Sequence, residues 1–322
     1  VVDRTRAGPA WSLLADVEEV RATIGRRIGA ALPPLQASVA TALVNGERAD
    51  IPERINEDLR ASGLYHILSI SGLHMSLVGG TAFWLIRALL ALFPALALRH
   101  PIKKWAAAGS LLVAFAYLLI SGADVPTQRS FLMLAIMALA VILDRPAFSM
   151  RNVALAALAI LVFEPEAVLS AGFQMSFLAV IGLVAFYEAW SGWKRAGPAP
   201  PRPAGMPARL LRMALMALAM TAVTTLIASL LTALPGAYHF NRVSAYSLLG
   251  NLLAAPAIGL LVMPSALIAV ALMPLGLEWL PLQVMGAGID LTLLAARWVA
   301  GLPGAMGVVP SMPAAAALVA CL

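Results

Sequence analysis

HILSISGLHMSLVGG, residues His66–Gly80, opens an apolar segment that runs on from Ile67 to Phe93. A segment of that length exceeds the roughly 20 apolar residues a helix needs to cross a bilayer. Its mouth nevertheless holds two histidines, three serines and several glycines. An uncompensated polar group in hydrocarbon costs several kcal/mol, so this polar mouth must meet protein or water rather than lipid.

The rest of the chain is made of the same material. Its 322 residues are 61% hydrophobic and only 12% charged, with mean hydropathy +0.88. That balance excludes an ordinary soluble domain. The single cysteine, Cys321, excludes a disulfide framework within the chain and a cysteine-rich zinc site. Apolar windows fall at Ile67–Phe93, Trp105–Ser121, Ser130–Leu143, Asn152–Phe163, Val168–Trp190, Leu210–Leu234, Ser247–Met273 and Trp279–Ala300. The expected fold is therefore all-α, a polytopic helical membrane protein with at least eight membrane segments. The third and fourth windows are short enough to be partial or re-entrant. Pro256 and Pro264 make the seventh a candidate pair of half-helices.

Charge sets an orientation. Arg99, Lys103 and Lys104 follow the first segment, Arg145 and Arg151 the third, and Lys194, Arg195, Arg202, Arg209 and Arg212 the fifth, while Asp124, Glu164 and Glu166 lie at alternate turns. Basic loops stay in the cytoplasm, so the first crossing starts outside. Residues 1–65 then form an outward-facing lead, 66–305 the polytopic domain, and 306–322 the start of a further apolar segment that the chain cuts short. Val1-Val2-Asp3 carries no initiator methionine, and a piece of a longer protein is expected. Within the lead, Leu13, Val17, Val20, Ile24 and Ile28 recur at helical spacing with Asp16, Glu19, Arg26 and Arg27 on other faces. A second amphipathic helix follows, with Asp50 and Glu53 at capping-box spacing, Pro52 in the first turn, Ile55 and Leu59 on one face, and Gly63 as the stop. GPAPPRPAGMP, Gly197–Pro207, reads as a flexible linker.

Wound as a helix at about 100° per residue, the opening stretch places Ser69, Gly72, Ser76 and Gly80 in one small-residue stripe, with His74 pointing away from it and His66 at the water interface. Polar or small groups on several sides mark a helix at the centre of a bundle or beside a wet cavity. Further polar positions sit in or near apolar segments: Arg129, Gln174, Ser176, His239, Arg242, Asn251, Asp290 and Arg297. Each also has a structural reading. Gln174 and Asn251 suit interhelical hydrogen bonds, Arg129 suits a snorkelling interfacial residue, and Asp290 and Arg297 suit partners two turns apart.

Four blocks taken together carry a family resemblance: SGLYHILSISGLHMSLVGG (Ser62–Gly80), SGADVPTQRSFLM (Ser121–Met133), LSAGFQMSFLAVIGL (Leu169–Leu183) and LLTALPGAYHFNRVSAYSLLGNLLAAP (Leu230–Pro256). In this order they resemble the membrane channel domain of ComEC-type competence proteins. Ser130 and Ser69 stand where that pattern commonly has alanine. The resemblance implies an inner-membrane channel for one DNA strand in natural transformation, working with a DNA-receptor protein and a cytoplasmic DNA-translocating ATPase. From the polar chemistry such a pore needs, the expected path is lined by His66, Ser69, Ser71, Gly72, His74, Arg129, Gln174, Ser176, His239, Arg242 and Asn251. Arg242 beside Tyr238, His239 and Phe240 suits the phosphates and bases of a single strand, which binds through cations and stacking rings.

Full-length relatives of this kind often carry a metallo-β-lactamase-like nuclease domain. Here there are four histidines, no HxHxD run and no cysteine cluster, so neither a dinuclear metal site nor nuclease activity is expected, and no cofactor is implied. Two rivals come from other classes. Ser71 and His74, three residues apart, suit an intramembrane serine hydrolase, although Leu68 stands where the GxSG pattern needs its first glycine. A helix broken around Asn251 and Pro256 suits a small-solute transporter.

Overall fold

The computed structural model describes residues 9–196 and 205–310, with side chains over 15–193 and 205–310. Most of the Gly197–Pro207 linker, residues 197–204, lies outside the described residues, as do Leu13 as a side chain and residues 311–322 of the expected last segment. The elements are helices α1 (Pro9–Ala31), α2 (Pro34–Asn45), α3 (Glu53–Ala61), α4 (Tyr65–Leu68), α5 (Gly72–Ala91), α6 (Pro94–Arg99), α7 (Ile102–Ile120), α8 (Val125–Ile142), α9 (Met150–Phe163), α10 (Ala171–Ala196) and α11 (Met206–Phe240). Strand β1 (Arg242–Ser244), helices α12 (Ser247–Ala257), α13 (Met263–Leu272) and α14 (Trp279–Ala300), and strand β2 (Met306–Val308) complete them. The fold is all-α and polytopic. Seven helices among the described residues are long and apolar enough to cross a membrane, and α9 is a shorter apolar helix.

The expected segments mostly survive with moved ends. The third begins at Val125 rather than Ser130 and reaches 18 residues, because Pro126 pre-sets the first turn. The seventh is not a pair of half-helices. α12 runs through Pro256 and continues into α13 by a π-turn, Ile258–Val262. A proline removes a backbone donor, and the wider turn that follows shifts the hydrogen-bond register without breaking the rod. Helix α2 has no counterpart in the periodicity reading; Pro34 starts it, and Gly46, at φ +79°, ends it with its N–H on Ala42 O.

The chain forms two compact units. The first holds the described residues up to Asn56 together with Tyr65–Leu143 and Pro256–Leu294. Its core includes Ile24, Ile28, Leu43, Met75, Ala106, Ala114, Ile258, Met263, Leu282, Met285 and Ile289. Small residues allow the close approaches: a methyl on Gly79 would meet Leu134, one on Gly109 would meet Ile86, and one on Gly288 would lie 2.8 Å from Val262 in the π-turn. α5 and α8 run parallel, since Gly72 lies by Ser130 and Gly79 by Leu134. Of the two lead amphipathic helices, which appear as α1 and α3, this unit holds buried Ile24, Ile28 and Ile55, while buried Leu59 and Gly63, which ends the second at φ +74°, belong to the other unit.

Arg21 of α1 ties this first unit together. Its guanidinium donates to Ile120 O, at the end of α7, and to Asn45 O, at the end of α2, both at 2.9 Å. Arg27 pairs with Glu278 at 3.0 Å and donates to Met273 O. Cations suit exposed carbonyls at helix C-termini, which is why these arginines point inward from an otherwise polar helix.

The second unit holds Glu57–Leu64, Asp144–Ala255 and the described residues from Ala295 onward. α10 and α11 pack antiparallel: Gly182 lies against Ile227 and Leu231, and Gly236 lies near Met175. Strands β1 and β2 pair antiparallel, with Val243 opposite Gly307. Thus Met306–Val308, expected to begin an apolar segment, is an edge of a small sheet.

Candidate functional site

In the first unit the polar mouth of the opening stretch is not one helix. α4 ends at Leu68, Ser69–Ser71 is non-helical, and α5 starts at Gly72. The continuous stripe of Ser69, Gly72, Ser76 and Gly80 therefore does not form. The cause is local capping. Ser71 is extended (φ −121°, ψ 177°), its backbone N–H donates to His74 Nδ1 at 3.3 Å, and its hydroxyl lies 3.2 Å from the same nitrogen. A serine N-cap exchanging bonds with the residue three positions on satisfies donors that a helix start leaves orphaned.

This arrangement buries a histidine. His74 has no exposed surface. Because Nδ1 accepts the Ser71 amide, the ring hydrogen sits on Nε2, and that atom is buried with no partner among the described residues. The start of α8 lies alongside. Ser130 Oγ is within 3.7 Å of where a Gly72 methyl would be, and Thr127 Oγ1 is 3.5 Å from Ile70 O. Arg129, expected to snorkel at the interface, is 7% exposed and sits within this turn of α8. Two parallel helix starts thus meet at the break, with Thr127 and Ser130 of α8 against it and buried His74 on α5, while buried Arg129 belongs to the same turn of α8. His66 is exposed, Ser69 and Ser71 are half-buried, and Gly72 is exposed.

Sequence reasoning missed several members of this region. Asn45, Ser121 and Thr127 are fully or almost fully buried. Gly46 and Ser121 approach so closely that a methyl on Gly46 would lie 2.5 Å from Ser121 O. The available signal was a polar residue closing an apolar run, as in VATALVNG and YLLISG.

The second unit collects the remaining candidates. His239, near the end of α11, donates from Nε2 to Gln174 Oε1 of α10 at 3.0 Å, and Gln174 Nε2 donates to Val168 O at 3.1 Å. Gln174 is therefore the interhelical link its position suggested. Tyr238 packs edge-on to His239 at 4.9 Å between ring centres. Asn241 takes the left-handed conformation (φ 55°) that ends α11 and turns the chain into β1, where Arg242 is exposed beside exposed Phe240. Ser176 is half-buried on α10. Asn251 is not interhelical: its side-chain amide donates to Ser247 O, one turn back on α12. Asp290, on α14 in the first unit, does not use Arg297; Gln36 of α2 donates to its carboxylate at 2.6 Å. Among the described residues no group of three or more His, Cys, Asp or Glu side chains is arranged to hold a metal ion.

A polytopic helical membrane protein with a broken, polar helix start inside an apolar bundle is the class these features define. Residues 43–322 match the family profile described as "Competence protein", and the chain belongs to that family. It is 40% identical over 144 residues to "Competence protein ComA" of Neisseria gonorrhoeae, which covers 44% of this chain and 20% of that protein. It is 23% identical over 245 residues to "ComE operon protein 3" of Bacillus subtilis (strain 168), covering 76% and 27%. "Uncharacterized protein YcaI" of Escherichia coli (strain K12) is 27% identical over 233 residues, covering 72% and 28%. The matched region is thus 20–28% of the length of these curated relatives. No solved structure matches the chain.

Proposed function

We propose that this chain is the part of a competence protein that conducts single-stranded DNA across the bacterial inner membrane. The observation that carries the reading is the family match over residues 43–322. Two features of the site support it. The break before α5 brings Ser71, His74, Thr127 and Ser130 together inside an apolar bundle, with buried Arg129 on the same turn of α8, and polar groups held there at a cost suit a polar substrate. Exposed Arg242 and Phe240 beside Tyr238 and His239 suit phosphates and stacked bases.

In this reading residues 66–305 form the conducting domain, with residues 1–65 on the outer face. Within the first unit this reading assigns His66, Ser69, Ser71, Gly72, His74 and Arg129 to the DNA, and within the second unit, taken by itself, Gln174, Ser176, His239, Arg242 and Asn251. A DNA-receptor protein outside and a DNA-translocating ATPase inside are the partners. No catalytic step is assigned to these residues. The buried Nε2–H of His74 is a donor without a partner among the described residues, an arrangement that costs about 1–3 kcal/mol and that opening the bundle to a polar substrate would relieve.

The test is DNA uptake by cells carrying His74→Ala or Arg129→Ala, with membrane levels matched to wild type. Each substitution is expected to abolish transformation, and normal transformation in both overturns the assignment. The contact between Ser71 Oγ and His74 Nδ1 favours one second reading, an intramembrane serine hydrolase. A fluorophosphonate probe separates the two: a conduit leaves Ser71 unlabelled.

A further inference from the structure

α9, in the second unit, is 14 residues long. At 1.5 Å per residue it measures about 21 Å, against roughly 30 Å of bilayer hydrocarbon. Both of its ends are fixed. Ser149 caps the start by accepting from the Asn152 amide, and the Asn152 side chain donates to the carbonyls of Pro146 and Ala147 at 2.9 and 2.7 Å. At the far end Glu164 and Pro165 turn into the 3-10 segment Pro165–Leu169. The helix therefore cannot lengthen, and tilting only shortens its reach.

Its neighbour α10 gives a ruler. Met150 N–H donates to Glu188 Oε1 at 3.2 Å, and Phe148 lies 5.3 Å from Tyr187 between ring centres. The start of α9 is thus level with residues 187–188 of α10. Past that level α10 continues through Trp190 and Trp193, which pack together at 5.6 Å, to Lys194 and Arg195. Aromatic rings followed by basic residues mark a membrane–water interface. Six residues separate Glu188 from Lys194, about 9 Å of helix. Arg145 and Arg151, both exposed, therefore lie about 9 Å deeper than the level at which α10 leaves the membrane, while Leu155, Leu158 and Val162 of α9 present an exposed apolar face beyond them.

We propose that lipid headgroups dip inward over the start of α9, so that this leaflet is locally thinned by about 9 Å and its phosphates meet Arg145 and Arg151. Mismatch between a short helix and the hydrocarbon is relieved by deforming the bilayer, and arginine is suited to phosphate. The inference rests on helix lengths within one unit and stands independently of the DNA reading.

The test uses purified protein with Cys321→Ser, reconstituted in phosphatidylcholine vesicles containing phosphatidylglycerol, with a nitroxide at Ala154→Cys or Ala185→Cys. Both alanines are exposed, and the Met150–Glu188 register puts them at nearly the same height. Depth is read from the ratio of oxygen to nickel-chelate accessibility. The label at 154 is expected about 9 Å shallower than the label at 185. Equal depths would mean a flat leaflet, and low accessibility of 154 to both reagents would mean that protein rather than lipid covers α9; either result overturns the proposal.

Discussion

Replacing Arg21 by Met removes a cation from beneath two helix ends while keeping an unbranched apolar stem. The lost bonds are those to Ile120 O and Asn45 O, both at 2.9 Å. The Arg21 side chain is 17% exposed, so neither carbonyl gains much water in exchange. A hydrogen bond to a charged group is worth about 1.5–3 kcal/mol, and two that share one guanidinium are not additive; roughly 3 kcal/mol is the working figure. The Glu18 pair contributes little, because its carboxylate is 63% exposed and exposed pairs are worth about 0–1 kcal/mol. Local opening should then rise by about two powers of ten, since 1.4 kcal/mol is one power of ten. Hydrogen–deuterium exchange of the detergent-solubilised protein reads it directly, in peptides covering residues 38–48 and 115–123. The Met variant should exchange about 100-fold faster there, and Arg21→Lys should fall between, because an ammonium lacks the fork that reaches both carbonyls. Exchange within about threefold of wild type in the Met variant would show that water already serves these carbonyls and would refute the pinning argument.

Three further outcomes are expected. Gly46→Ala should cost about 2–4 kcal/mol, combining left-handed strain with overpacking, because its φ is +79° and its methyl would sit 2.5 Å from Ser121 O; Gly29→Ala, with open space around it, should be neutral or stabilising by up to about 1 kcal/mol, and thermal unfolding in detergent compares them. Gly182→Ala should cost about 1–3 kcal/mol by pressing on Leu231 and Ile227. Adding Leu231→Ala should recover part of that loss in a double-mutant cycle on the same assay. Gln174→Leu should cost about 1–2 kcal/mol by leaving His239 Nε2 and Val168 O without their partner, with the effect on thermal stability largely absent when His239→Phe is already present.

How far the sequence foretold the fold depended on which force set each feature. Apolar length alone located α7 and α14 to within three residues at each end, because a buried or lipid-facing helix needs little else. Features decided by one hydrogen bond were less legible. Pro256 suggested a break, but the π-turn beyond it absorbs the lost donor. Asp290 looked like a partner for Arg297 seven residues on, yet it is met by Gln36, a residue 254 positions away that no helical spacing can point to. Asn251 looked interhelical because a buried amide needs a partner, and it found one four residues back in its own helix.

The opening stretch joins both lessons. Its composition rightly marked a helix that lipid alone cannot surround, but its periodicity assumed a continuous rod. Ser71 followed by Gly72 and, three positions after the serine, a side chain able to accept from the serine amide is the pattern of a helix start; here the acceptor is a histidine rather than the usual glutamate. The same interaction that ends the non-helical link also draws His74 into the bundle and commits its Nδ1, leaving Nε2 as the only ring nitrogen available to anything else. A Ser–His pair that resembles a nucleophile and its base is, in geometric terms, first a cap. The polar chemistry of this mouth therefore follows from how α5 begins: shifting that start by one residue would move the imidazole by about 100° around the helix and take it away from Ser71.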